Sequence, residues 1–296
     1  MKIRDVIIIG KGPAGISTAL YTKRANLDTV VIGREGSSLD KAEKIENYYG
    51  LEEVISGADL LKIGENQAEK LGIELIRDEV TSITQLYEEN YFKVTSITGE
   101  HYAKAILLAT GQPSKKVKIQ GIPEFEGKGI SYCTTCDGFF YRNLKVGVLG
   151  NSAYAIHEAT ELEAFTKDIT IFTNGDELNI NSDMSDEAGR FKINTKPIIE
   201  LSGDEYLQNI HFRDGKTQQI DGLFIAYGSA SSVDFAKKLG IMVENNSIKV
   251  NYDQSTNIEG IFAAGDCTGG FKQIATAVAQ GAIAAKSIIE YLRRKK

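Results

Sequence analysis

Cysteine, histidine and uninterrupted apolar sequence are all scarce in this 296-residue chain. Three cysteines are far too few for a structural disulfide framework. The three histidines, His101, His157 and His211, stand at no paired-ligand spacing, and Cys267 is single, so no metal site is expected. No stretch reaches the ~18 apolar residues of a membrane span. Met1 leads directly into a strand-like segment, Asp5 to Ile9, without the basic and apolar leader of a secreted protein. The expectation is a cytoplasmic protein with no membrane partner. A net charge of -6 and the lack of a basic arm with interleaved aromatics argue against nucleic acid.

What the chain does have is the composition of a soluble globular protein and length enough for about two domains. Asp5 to Ile9 is a short apolar run of the kind buried in parallel sheets. A helical stretch from Ile16 to about Ala25 follows, and then a strand from Leu27 to Ile32, giving a βαβ opening. Lys104 to Ala109, Lys145 to Leu149, Ile169 to Thr173, Leu223 to Ala226 and Gly260 to Ala264 read as further strands, most ending at or near glycine. Gln273 to Leu292 reads as a closing helix rich in small residues. The fold class expected is α/β with two dinucleotide-binding, Rossmann-like domains. The first is discontinuous, 1–113 with 244–296, and the second, 114–243, is inserted into it.

Three motifs carry chemistry. Gly10-Lys-Gly12-Pro13-Ala14-Gly15 lies between the first strand and the first helix, where glycines permit a sharp turn and close approach of a pyrophosphate to the helix N-terminus. Glu35, twenty residues on, is the candidate for ribose hydroxyls. Cys133-Thr-Thr-Cys136 needs no further ligand to act as a dithiol–disulfide pair, and Asp137 beside it can give or take a proton. Gly260-Ile-Phe-Ala-Ala-Gly265-Asp266 ends a strand with a carboxylate positioned for a hydroxyl chain, or simply for capping a helix.

Taken together, Gly10 to Gly15, Glu46-Asn47, Ala109-Thr110-Gly111, Cys133-Thr-Thr-Cys-Asp-Gly-Phe-Phe-Tyr141, Gly260 to Asp266 and Lys272-Gln273-Ile274 closely resemble the low-molecular-weight thioredoxin reductases over nearly the whole chain. The resemblance implies FAD in the discontinuous domain and a homodimer. It implies that Cys136 faces the flavin while Cys133 attacks the thioredoxin disulfide, with Asp137 as the acid–base residue. Asn47, Asp266, Gln273 and Ile274 would line the flavin, with Ala109, Thr110, Gly111, Gly265 and Lys272 in the matching motifs. Cys267 reads as packing.

The inserted domain departs from that family. Its glycine turn reads Gly150-Asn-Ser152-Ala-Tyr154-Ala155, with a side chain where the second glycine belongs. After Ile169 to Phe172 come Thr173-Asn-Gly-Asp176-Glu177, two acids where arginines would pair with the 2′-phosphate of NADPH. Leu178 to Gly189 is too short and polar for the long helix expected there. In this the chain resembles the ferredoxin-linked thioredoxin reductases that lack nicotinamide motifs, which implies ferredoxin as electron donor. Lys115, Lys116, Lys118 and the stretch Arg293 to Lys296 are the candidate docking cations. An NAD(P)H-dependent thioredoxin reductase and an oxygen-dependent oxidase of small dithiols are the alternatives.

Overall fold

The computed structural model of the chain describes residues 2–111, 117–180, 182–228 and 230–295. Two compact units emerge, one of Met1–Pro113 with Ser231–Lys296 and the other of Ser114–Ala230.

In the first unit, strand β1 (Ile3–Ile9) runs into helix α1 (Pro13–Arg24) and strand β2 (Thr29–Ile32). Helix α2 (Gly57–Lys70) leads to β3 (Glu74–Ile76), followed by β4 (Val80–Leu86), β5 (Tyr91–Ser96) and β6 (Gly99–Leu108). Seven strands form one sheet in the order β3-β2-β1-β6-β5-β4, with the returning strand Ile261–Ala263 also on β6. The pairs β1–β2, β2–β3, β1–β6 and β6 with Ile261–Ala263 are parallel; β4–β5 and β5–β6 are antiparallel. Val6 to Ile9 of β1 are apolar without alternation and buried, because the inner part of a central parallel strand is covered on both faces. Val6 and Ile8 pack with Ala14, Ile16, Ala284 and Ile288, so α1 and the C-terminal helix (Ile274–Arg294) share one core. These two helices meet closely at Gly281, where a Cβ would fall 2.3 Å from the Ala14 carbonyl oxygen.

The return into this unit falls at Ser231, inside the stretch from about 229 to 234 that the sequence marks as a crossing, rather than at the boundary of 244. Ser231 caps the helix Ser232–Lys238 through a reciprocal box with Asp234. The Ser232 amide donates to Thr110 Oγ1 at 2.7 Å, and Val233, Phe235 and Ala236 are buried. A capped, apolar helix sewn to the end of β6 belongs to the core it packs in.

Between β3 and β4 lies a half-buried acid, Glu79. Burial pushes its carboxyl up to about 7, the nearby Arg34 opposing and Asp78 adding to the effect, and its Oε1 has no hydrogen-bond partner among the described residues. The folded protein therefore favours the protonated form. The destabilisation Glu79 contributes should shrink as pH falls from 8 toward 4.5, so Glu79→Gln should stabilise the protein by about 2 kcal/mol at pH 8 with little effect near pH 4.5. Thermal midpoints at both pH values read this directly; an equal shift at both would refute it.

In the second unit, α3 (Ile122–Phe125) and β7 (Ile130–Ser131) precede the short turn of helix α4 (Thr134–Asp137). Next come β8 (Val146–Leu149), α5 (Ala153–Leu162), β9 (Ile169–Phe172), α6 (Ser185–Ala188) and β10 (Lys192–Asn194). The strands β11 (Ile198–Ser202), β12 (Asn209–Phe212) and β13 (Thr217–Gln219) form a separate antiparallel sheet. With β14 (Gly222–Ile225) the main sheet is parallel, in the order β10-β9-β8-β14-β7. α6 spans only four residues, in keeping with the polar segment that precedes it.

Candidate active site

The first glycine turn leaves open space at the start of a helix. Gly10 has φ +114°, and a Cβ there would sit 2.2 Å from the Ala109 carbonyl oxygen, so the sharp exit from β1 requires glycine. At Gly15 a Cβ would sit 1.9 Å from the Gly10 oxygen. Gly12 is different, because a Cβ there would meet nothing within 4 Å. The protein's own packing does not call for glycine at 12; what the residue leaves open is space at the start of α1. No side chain caps that helix and its first turn carries no acid, leaving amide groups and the positive end of the dipole for an anion. Pro13 at the first position and Ala14 and Gly15 behind it complete the turn.

Several of the other residues singled out in the sequence lie in the same unit. Ala109 and Thr110 end β6, and Gly111 follows with φ +73°. Asn47 Nδ2 donates to Gln273 Oε1 at 3.1 Å, joining a loop before α2 to the residue that precedes Ile274. The Gly265 amide is fixed by Gln280 Oε1 at 2.8 Å. Burial pushes the Asp266 carboxyl above the usual carboxylate range, against the attraction of Lys272. The Cys267 thiol beside it is fully buried and is pushed up to about 12 by that burial, which makes it an inert packing group.

Glu35 has company that the sequence did not reveal. Lys11, inside the glycine turn, donates to Glu35 at 3.0 Å and to buried Glu65 at 2.7 Å, and Arg77 reaches Glu35 at 3.2 Å. The hydrogen bond from Lys11 holds the Glu35 carboxyl below its ordinary value. A lysine within a glycine turn was the available signal, but its partners stand 24 and 54 residues away.

In the second unit Cys133 and Cys136 form a disulfide, with sulfurs 2.02 Å apart. Cys133 is 4% exposed, whereas Cys136 is exposed. The Cys136 amide donates to Cys133 Sγ at 3.1 Å. Ser131, buried under the turn, donates to Asp137 Oδ2 at 2.6 Å and accepts from the Cys133 amide, so one hydroxyl fixes both the carboxylate and the first cysteine. Burial, and then the charge of Asp137, raise the Tyr141 phenol. Phe139 and Phe140 follow the turn as an exposed pair, with Arg142 over the Phe139 ring at 5.2 Å. Exposed apolar rings beside a reactive pair suit a protein partner.

The second glycine turn repeats the geometry of the first but is bridged by a neighbouring segment. A Cβ at Gly150 would meet the Ala226 oxygen at 2.1 Å, as one at Gly10 meets Ala109. Ser152 holds the place of Gly12, and its hydroxyl is spent in a short hydrogen bond to the Gly228 carbonyl. The Asn179 amide donates to Asn151 oxygen at 2.6 Å, Asn151 Nδ2 reaches the Glu177 carbonyl, and Ser152 and Asn179 form a parallel bridge. Tyr227 donates a short hydrogen bond to Asp176, and burial with that bond pushes its phenol up to about 12. Residues 176–179 are thereby pinned across the turn. Of the cations proposed for docking, Lys115, Lys116 and Lys296 lie outside the described residues; Lys118 and Arg293 to Lys295 are exposed.

Residues 4–281 match the model of the pyridine nucleotide-disulphide oxidoreductase family, and the chain belongs to that family. It is 35% identical to the thioredoxin reductase of Aquifex aeolicus over the whole chain and 95% of that protein, and 34% identical to that of Bacillus subtilis over 98% and 95%. Among solved structures, the atypical thioredoxin reductase TRi of Desulfovibrio vulgaris Hildenborough matches with 42% identity and a TM-score of 0.93, covering 98% of each chain. A ferredoxin-flavin thioredoxin reductase of Clostridium acetobutylicum matches with 29% identity and a TM-score of 0.74, again over 98% of each. Within the family the chain therefore groups with the thioredoxin reductases, and its cofactor is FAD. The open space at Gly12 and the uncapped start of α1 fit the pyrophosphate of that cofactor. No helix among the described residues is long and apolar enough to cross a membrane.

Proposed function

We propose that the chain reduces thioredoxin through Cys133 and Cys136, as a cytoplasmic homodimer, with electrons drawn from reduced ferredoxin rather than NADPH. FAD, when bound, supplies the electron pair that opens the disulfide. With FAD bound, exposed Cys136 would be the sulfur that takes up that pair, and Cys133 the one released as a thiolate toward which the Cys136 amide already points, a contact that favours the anion. Asp137, held by Ser131, takes up and returns the proton as the pair cycles. Cys133 then attacks the thioredoxin disulfide and Cys136 resolves the adduct, so two electrons and two protons leave with reduced thioredoxin. Because Cys133 is 4% exposed, the turn has to be uncovered before a protein disulfide can reach it.

The bridged second turn carries the choice of donor. Ser152 puts a side chain at the turn's second glycine position and the segment 176–179 is bridged to the same turn, which leaves less room for a pyrophosphate. Asp176 and Glu177 would repel a 2′-phosphate where charge-assisted hydrogen bonds of ~1.5–3 kcal/mol each are required. The ferredoxin-flavin neighbour supports the same reading.

The test is anaerobic. Flavin absorption is followed on adding NADPH, NADH or chemically reduced ferredoxin, each with oxidised thioredoxin present. Bleaching followed by thioredoxin reduction is expected with ferredoxin alone. Rapid bleaching by NADPH would overturn the choice of donor and leave a nicotinamide-dependent thioredoxin reductase. Oxygen uptake with a small dithiol and no thioredoxin reduction would point instead to a dithiol oxidase.

A further inference from the structure

A second carboxyl group lies against the redox turn, and nothing in the scheme above uses it. Glu158, on the inner face of α5, is 2% exposed. Thr134, the residue after Cys133, is fully buried, and its hydroxyl donates to Glu158 Oε2 at 2.6 Å. This bond ties the centre of the Cys133–Cys136 turn to a helix of the sheet scaffold. It forms inside the protein, where an unsatisfied hydroxyl or carboxyl is costly. His157 and Glu161 stand beside it on the same helix, paired to each other at 3.2 Å.

We infer that Glu158, acting through Thr134, is a positioning residue that holds the turn in its disulfide-closed form. The inference rests on the redox role proposed for Cys133 and Cys136. When the disulfide opens, the two sulfurs move beyond bonding distance, and the backbone between them, Thr134 included, is the part that has to give. An anchor at Thr134 therefore favours the closed form over the open one and sets how readily the pair is reduced. Asp137 moves protons; Glu158 sets the geometry within which that occurs.

The experiment needs no physiological donor. The FAD-loaded protein is equilibrated anaerobically at pH 7 with dithiothreitol buffers, and free thiols are counted by alkylation and mass spectrometry. The Cys133–Cys136 bond breaks and takes up two electrons and two protons, while the reagent closes its own ring disulfide. Thr134→Val and Glu158→Ala should each shift the equilibrium toward the dithiol by about tenfold, the size of one lost buried hydrogen bond. Thr134→Ser, which keeps the hydroxyl, should restore the wild-type position. Glu158→Gln keeps an acceptor and guards against a variant that fails to fold; it should fall between wild type and Glu158→Ala. The Thr134→Val, Glu158→Ala pair should shift no further than either alone, since both remove one contact. Folded variants within twofold of wild type, or independent additive shifts, would sink the positioning role while leaving the redox pair intact. A wild-type pair that does not titrate as a two-electron disulfide would instead overturn the redox reading, and this inference with it.

Discussion

A Cys136→Ser variant should accumulate a covalent adduct with thioredoxin, and a Cys133→Ser variant should not. The probe is a thioredoxin with a single active-site cysteine activated by thionitrobenzoate. Attack by Cys133 expels that yellow leaving group and leaves a Cys133–thioredoxin disulfide. Without Cys136 nothing in the pair can resolve it. Either substitution should cut thioredoxin turnover by ~10³-fold or more, because the two sulfurs act as a unit. Adduct formed by Cys133→Ser in place of Cys136→Ser would reverse the assignment of the two sulfurs. The rate of trapping is informative too. Cys133 is 4% exposed, so adduct formation should be slow beside the reaction of a free surface thiol and should quicken when the turn is loosened by denaturant below the unfolding range.

The second large effect separates the glycines of the first turn. Gly12→Val should leave the apoprotein about as stable as wild type, since a Cβ there meets nothing within 4 Å. Its affinity for FAD should nevertheless fall by about 100-fold, the cost of forcing a branched side chain into the space of the pyrophosphate. Gly15→Val should behave otherwise. With its Cβ only 1.9 Å from the Gly10 oxygen it should destabilise the apoprotein itself by several kcal/mol. Melting of the apoproteins, with FAD titration followed by fluorescence, distinguishes the two. Wild-type FAD affinity in Gly12→Val would remove the turn from the cofactor site.

Local features were legible in the sequence because local rules govern them. The strand–glycine–helix order at Ile9 to Gly15, the Cys133–Cys136 spacing and the substitution at Ser152 are each read within a few residues. The contacts that complete the sites join distant parts of the chain. Thr110 meets Ser232 across 122 residues and ties the return at Ser231 to the end of β6; the sequence marks a crossing there but not the contact that makes the following helix part of the first unit. Thr134 meets Glu158 across 24, and Lys11 meets Glu65 across 54. Ser152 was visible as an obstruction, yet its bridging by 176–179 depends on backbone hydrogen bonds that no residue type announces.

Cys267 gives the protein a built-in zero for bookkeeping its own oxidation state. With a fully buried thiol pushed up to about 12, it is closed to alkylating reagents while the fold is intact. Native oxidised protein should therefore register no reactive thiol and fully reduced protein two, exposed Cys136 at once and the 4% exposed Cys133 more slowly. The fraction in between reads the state of Cys133–Cys136 without background, in a purified sample or in a cell extract quenched with reagent.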